Sequence, residues 1–174
     1  ENLDTFFALM GKPGGSDLQS IQLLSRTGDR VLSLTALDSN FVESKAAGGV
    51  GFVKRATLES AQSTTCRNFG EDDRDATLNW WVTHHHVFPV LDAPVEKARK
   101  GQVTVMASAS TLLQACAESS VEVLLHGHER QPSITLSARW TARTDSAAGT
   151  LAVVGAGSIG AARDELGPFS RNHY

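Results

Sequence analysis

The chain has 174 residues, of which 41% are hydrophobic, and this size and composition fit one globular domain with a sizeable core. Its formal net charge of −3, with acidic and basic residues interspersed, gives no indication of a surface for duplex nucleic acid or an anionic membrane. Since no apolar stretch approaches the roughly twenty residues of a membrane-spanning helix, and Cys66 and Cys116 are too few for a disulfide framework, we expect a cytoplasmic protein without a membrane span.

The first part of the chain predicts few regular elements. The chain begins at Glu1 rather than at a methionine, and the apolar patch at residues 6–10 needs a partner surface, so we expect a fragment. Residues 17–24 have the spacing of a helix or the character of a loop. Residues 27–30 predict a tight turn that leads into a strand over residues 31–37.

Helices and strands are predicted to alternate over the rest of the chain, which indicates an α/β fold. Short helices are expected around residues 57–65 and 108–118, the second of them rich in alanine, leucine and glutamine. Residues 134–140 alternate between apolar and polar side chains, as in a strand with one buried face. Three apolar runs predict further strands: residues 80–82, 123–125 and 151–154.

Two histidine clusters follow two of these predicted strands directly. Because ligands of α/β sheets bind beyond the carboxyl ends of strands, and because imidazole nitrogen is the commonest side-chain metal donor, this placement predicts a metal site. For any single histidine the alternative is a structural role in the core or on the surface. The five residues are His84, His85 and His86, then His126 and His128.

A glycine separates the two histidines of the second cluster. In an extended backbone, His126 and His128 point to the same side of the strand. We expect Gly127 between them to leave room for a close approach of another group.

Residues 155–160 satisfy the Gly-x-Gly-x-x-Gly pattern of dinucleotide-binding folds and follow a predicted strand. The fingerprint also requires a long helix and a second parallel strand, whereas the remaining tail is short and is interrupted by Gly167 and Pro168. We favour a glycine-rich turn here, and a nucleotide site is the remote alternative.

At both histidine clusters the chain resembles the calcineurin-like metallophosphoesterases. That family has a strand that ends in a His-His pair and a later strand that ends in Gly-His-x-His, and residues 83–89 and 125–132 look like the counterparts of these motifs. Residues 34–40 look like the strand that follows the family's Gly-Asn-His-Glu motif, and residues 110–125 look like the helix and strand that precede Gly-His-x-His. The resemblance covers most of the chain, but only the histidine motifs are specific.

The resemblance implies that residues 1–174 are the C-terminal portion of a single phosphoesterase domain, part of an α/β four-layer αββα sandwich. It implies a hydrolase that cleaves a phosphoester by attack of a metal-activated hydroxide, with two divalent ions (Mn, Fe, Zn or Mg) in the intact enzyme. His84 and His128 would be ligands of one ion, and His85 would lie close to the substrate or beside the residues that bind the metal.

Two departures from the family pattern affect this expectation. Arg130 replaces the last histidine of Gly-His-x-His and cannot bind a metal, although it could bind the substrate phosphate; His126 is then a candidate substitute ligand. The family's N-terminal motifs, Asp-x-His, Gly-Asp-x-x-Asp and Gly-Asn-His-Glu, are absent, so a missing N-terminal half would have to supply the other ligands. His85 and Arg130 are therefore the candidate catalytic residues. The alternative is a degenerate module that binds one metal or a phosphate through His84, His128 and Arg130 without catalysis.

Overall fold

The computed structural model describes residues 20–27, 30–40, 50–68, 77–88, 106–128, 132–138 and 149–156. Several predicted features lie outside these ranges: the apolar patch at residues 6–10, Arg130, and most of the glycine motif at residues 155–160. Within the described ranges, no helix has both the length and the hydropathy to cross a membrane.

The described part of the chain forms six strands and two helices. The elements are β1 (Ser20–Thr27), β2 (Arg30–Leu37), α1 (Arg55–Asn68), β3 (Thr77–Thr83), α2 (Ala109–Glu118), β4 (Val123–His126), β5 (Ser133–Ala138) and β6 (Thr150–Gly155).

All six strands belong to one mixed sheet with the order β1-β2-β3-β4-β6-β5. The four central strands, β2, β3, β4 and β6, run parallel, while β1 and β5 pair antiparallel at the two edges. A parallel pair needs a long crossover connection, and α1 and α2 lie in the crossovers from β2 to β3 and from β3 to β4. The α/β class is thereby confirmed, and the carboxyl ends of β2, β3 and β4 meet at one edge of the sheet.

One face of the sheet packs against the two helices and forms the core. Trp81 of β3 and Leu124 of β4 are fully buried there, beside Leu112 and Cys116 of α2. Cys116 is buried inside this cluster, as expected for a small packing residue. The helix-covered face therefore holds the strands, and with them the strand ends, in fixed positions.

The opposite face of the sheet is also apolar but is less well covered. Leu34, Trp80, Leu125 and Val154 of the four parallel strands are partly buried on it. On the edge strand β5, whose Ile134 pairs directly with Val154, the apolar side chains are mostly exposed: Ile134 by 74% and Leu136 by 70%. The prediction that this strand buries one face is therefore wrong for these two side chains.

The structure confirms each predicted helix as a helix and each predicted strand as a strand, and one segment differs from its prediction. Residues 20–24, predicted as helix or loop, belong to strand β1. β1 pairs antiparallel with β2 over its whole length, from Ser20 opposite Leu37 to Thr27 opposite Arg30. A short apolar run does not distinguish helix from strand by itself, and here the pairing with β2 decides between them.

Candidate metal centre

Three loops meet at the carboxyl edge of the parallel strands. They follow β2 at residues 38–40, β3 at residues 84–86 and β4 at residues 127–128. The last two are joined directly, because the backbone N–H of Gly127 donates a hydrogen bond to the carbonyl of His84 (3.1 Å). The parallel register that pairs Thr83 with His126 therefore continues into the loops and brings the two histidine clusters together.

Three of the five clustered histidines converge on one point. Nε2 of His84 and Nδ1 of His128 are 2.9 Å apart. The ring centroid of His85 lies 4.9 Å from that of His84 and 4.6 Å from that of His128. One ring nitrogen from each residue lies within 4.8 Å of the other two. Among the predicted site residues, the structure thus brings together His84, His85 and His128.

This histidine triad (His84, His85 and His128) fits a divalent metal ion. In a tetrahedral zinc site with Zn–N bonds of about 2.0–2.1 Å, ligand nitrogens are about 3.4 Å apart, so His84 and His128 need to separate only slightly to share an ion. Among the described residues, no aspartate or glutamate joins the three histidines in this group. Imidazole donors suit zinc, copper, iron and nickel, whereas magnesium prefers oxygen ligands.

The backbone at His128 explains how its side chain reaches the triad. β4 ends at His126, and His128 has a φ angle of 73°, in the left-handed region that non-glycine residues rarely adopt. The expectation that His126 and His128 point to the same side assumed an extended backbone, and that assumption is wrong at His128, where the strand has already ended. Such a conformation is typical of functional sites, where surrounding contacts maintain it.

The ring of His85 is held by two residues that the sequence analysis did not identify as site residues. Oγ of Ser39, in the loop after β2, lies 2.9 Å from Nδ1 of His85. Gly51 packs against the same ring so closely that a Cβ atom on it would overlap Cβ and Cγ of His85. Ser39 lies close after a predicted strand, which marks a strand end but not a contact with His85, and nothing in the sequence marks Gly51.

By contrast, no described side chain packs closely against Gly127. A Cβ atom built there would come no nearer than 3.8 Å to the carbonyl oxygen of His84, which is an ordinary contact. The described protein groups therefore leave space at Gly127 and do not by themselves require a glycine there.

Burial lowers the pKa of two of the clustered histidines, His85 and His126, and so favours their neutral form. Burial, together with the neighbouring His128, His84 and His86, lowers the pKa of His85 from 6.5 to about 4. Burial also lowers the pKa of His126, and its hydrogen bond to the backbone of Gly127 opposes that shift in part. With a pKa of about 4, His85 is neutral at neutral pH. Neutral imidazole is also the form that binds metal ions.

The other two clustered histidines lie beside the triad rather than in it. His86 and His126 are both buried, and their ring centroids are 6.1 Å apart. The carbonyl of His86 accepts the N–H of Met106, and Nδ1 of His126 lies 3.3 Å from the carbonyl oxygen of Gly127. His126, the candidate substitute ligand, is thus not among the three residues that converge. Arg130, the candidate phosphate ligand, lies outside the described residues.

A scan against protein-family models finds no match for this chain, and a search of the curated proteins finds none either. The functional interpretation therefore rests on the geometry of the triad and on the resemblance of the two histidine motifs.

Proposed function

We propose that the chain is part of a metal-dependent phosphoester hydrolase of the calcineurin-like type, in which His84 and His128 bind a divalent ion. The observation that supports this most strongly is the convergence of His84, His85 and His128 from the ends of two neighbouring parallel strands. Since those strand ends carry the two motifs that resemble the family, chemistry and sequence indicate the same site.

Each residue of the triad has a distinct role in this proposal. His84 and His128 present ring nitrogens 2.9 Å apart and hold the ion between them. When bound, such an ion neutralises developing charge on the phosphoryl group and lowers the pKa of a water molecule. His85 is the catalytic residue of the three, because its buried ring lies beside His128 and would be next to a phosphoryl group that the ion holds.

The proposal includes the four-layer αββα sandwich, and the apolar face of the sheet that the described helices do not cover supports it. Leu34, Trp80, Leu125 and Val154 lie on that face, opposite the helices, and continue into the exposed Ile134. Since exposed apolar patches usually mark a surface that another element covers, we propose that a second sheet packs there. Residues on that sheet would supply the ligands that complete a two-metal centre.

A non-catalytic module that binds one metal is the second candidate. It is favoured by the composition of the site, since the described residues provide three histidines and no carboxylate to bridge two ions. The two candidates differ in metal stoichiometry and in turnover.

The test is to measure both on the intact protein that carries the proposed second sheet, because these 174 residues alone would lack the ligands which that sheet supplies. Zinc and manganese binding is measured by equilibrium dialysis, and hydrolysis of bis(p-nitrophenyl) phosphate is followed with and without chelator, in the unaltered chain and in His84→Ala. Metal-dependent hydrolysis that falls by two orders of magnitude or more in the variant supports the enzyme. One bound ion without turnover supports the binding module, and a chain that binds neither metal contradicts both.

A further inference from the structure

The side chain of Ser39 makes three polar contacts at the site, although Ser39 belongs to neither histidine motif. It is fully buried in the loop after β2. Its Oγ lies 2.9 Å from Nδ1 of His85. The same oxygen accepts the backbone N–H of His84 (3.2 Å) and that of His85 (3.3 Å).

These three contacts determine the direction of each hydrogen bond. A serine hydroxyl has one hydrogen to donate and two lone pairs that accept. The two backbone N–H groups can only donate, so they occupy both lone pairs of the Ser39 oxygen. The hydroxyl hydrogen is then directed to Nδ1 of His85, which must accept it, and a neutral imidazole that accepts at Nδ1 carries its own hydrogen on Nε2.

We propose that Ser39 is a positioning residue that holds His85 with its hydrogen on Nε2, so that His85 donates a hydrogen bond to a phosphoryl oxygen and is not a third metal ligand. This inference rests on the proposed function for the identity of the ligand. The assignment of the hydrogen to Nε2 rests on the contacts of Ser39 alone.

The surroundings of Nε2 agree with a donor that awaits a ligand. This atom is buried and has no hydrogen-bond partner among the described residues. A buried N–H without a partner is unfavourable and is rare in native proteins. An oxygen of a phosphoryl group held beside His84 and His128 would satisfy it.

Binding of a metal through Nε2 would require a different arrangement. The hydrogen of His85 would move to Nδ1, which would then donate to Ser39. The Ser39 oxygen would face three N–H donors with two lone pairs, so one donor would lose its partner. Ser39 therefore disfavours His85 as a metal ligand and leaves His84 and His128 in that role. Gly51, packed against the ring, keeps His85 from turning away.

The position of the hydrogen on His85 is measured directly by NMR of the metal-free chain labelled with ¹⁵N-histidine at pH 7.5. His85→Gln identifies the resonances. We expect the Nε2–H form in the unaltered chain and a mixture of the two forms in Ser39→Ala. Ser33→Ala is the matched control, because Ser33 is also fully buried but lies within β2, six residues before Ser39; it should leave the His85 signals unchanged.

A hydrogen on Nδ1 of His85 in the unaltered chain overturns the proposal, and this holds even if Ser39→Ala does not fold. An unchanged Nε2–H form in folded Ser39→Ala also overturns it, because Ser39 would then not be what determines the tautomer.

The role toward phosphate is tested with zinc and inorganic phosphate as probes. In Ser39→Ala we expect phosphate affinity for the zinc-loaded chain to fall about tenfold, the effect of one hydrogen bond to an ion, and zinc affinity to change by less than about threefold. A loss of zinc affinity as large as that of His84→Ala would show that His85 is a metal ligand and overturn the proposal. If the unaltered chain binds no zinc, the proposed function fails, while the NMR measurement still decides whether Ser39 fixes the tautomer.

Discussion

His84 and His128 are 44 residues apart in the sequence, yet Nε2 of the first lies 2.9 Å from Nδ1 of the second. At that distance two imidazole nitrogens must share one hydrogen, since two facing lone pairs would repel each other. A divalent ion between the rings would replace that hydrogen and interact with both lone pairs. The parallel pairing of β3 with β4 creates this contact, so the fold brings the two nitrogens together before any metal binds.

Loss of either ring should therefore remove most of the metal affinity. We expect His84→Ala and His128→Ala each to lower the zinc affinity by about 100-fold or more, because changes to groups that merely support ligands already lower it 10- to 100-fold. Isothermal titration with zinc measures this effect. Magnesium should not bind to the triad in the same assay, because the triad offers nitrogen donors.

His126→Asn is the matched control for these two variants. His126 belongs to the same cluster but lies outside the triad, and an asparagine amide can still donate to the carbonyl of Gly127. We expect zinc affinity within about threefold of the unaltered chain. A loss as large as that of His84→Ala would instead show that His126 is the substitute ligand that its place in the second cluster suggests.

The left-handed backbone at His128 predicts a conflict between stability and metal binding. A non-glycine residue pays roughly 1 kcal/mol to adopt such a conformation, and glycine does not. His128→Gly should therefore give a metal-free chain about 1 kcal/mol more stable than His128→Ala, while both variants lose zinc binding. Urea denaturation in the presence of chelator measures the difference.

Ser120 provides the control for this prediction, because it has a φ angle of 54° just after α2, is exposed, and lies away from the triad. Ser120→Gly should raise the free energy of unfolding of the chain by a similar amount and leave its zinc affinity unchanged. Equal stability of His128→Gly and His128→Ala would mean that the backbone at His128 carries no strain.

Substitution of glycine by alanine should have a large effect on stability at Gly51 and a small effect at Gly127. A methyl group on Gly51 would overlap the ring of His85 near its Cβ, where the side chain cannot move aside easily. Gly51→Ala should therefore destabilise the chain by about 1–3 kcal/mol, as overpacking of a buried site does. Gly127→Ala should change stability by less than about 0.5 kcal/mol, because its methyl group would make an ordinary contact of 3.8 Å.

A double substitution tests whether the effect at Gly51 comes from His85. In the His85→Ala background the methyl group gains space, so Gly51→Ala should be less harmful there by 1 kcal/mol or more in a double-mutant cycle of unfolding free energies. Additive effects would place the cause of the destabilisation elsewhere in the loop.

The sequence predicted the strand ends and the histidines on them, because apolar runs followed by polar residues can be recognised locally. The triad itself could not be selected from five histidines, since the choice depends on two facts of three-dimensional structure. One is the register of β3 against β4, which places Gly127 beside His84. The other is the positive φ angle of His128, which breaks the side-chain alternation that a strand would impose. Ser39 and Gly51 act on His85 across distant parts of the chain, and no local pattern indicates such contacts.

The lowered pKa of His85 predicts how the stability of the metal-free chain depends on pH. In the unfolded chain this imidazole binds a proton near pH 6.5, but in the folded chain only near pH 4. Between these values the unfolded state binds more protons, so the free energy of unfolding decreases as the pH falls through this range. The loss is complete below about pH 4 and amounts to about 3 kcal/mol. Above pH 6.5 His85 adds no pH dependence.

His85→Gln isolates this contribution, because glutamine does not titrate and the acidic groups of the chain titrate in both proteins. The unfolding free energy of the unaltered chain minus that of His85→Gln should be constant from pH 8 to pH 7. It should then fall by 1–2 kcal/mol by pH 5, since most but not all of the range between the two pKa values has then been crossed. Urea denaturation in chelator at each pH gives both numbers. A difference that stays constant down to pH 5 would mean that the pKa of His85 in the folded chain is not lowered. The ring of His85 would then be accessible to water, and Ser39 and Gly51 would not hold it in a buried position.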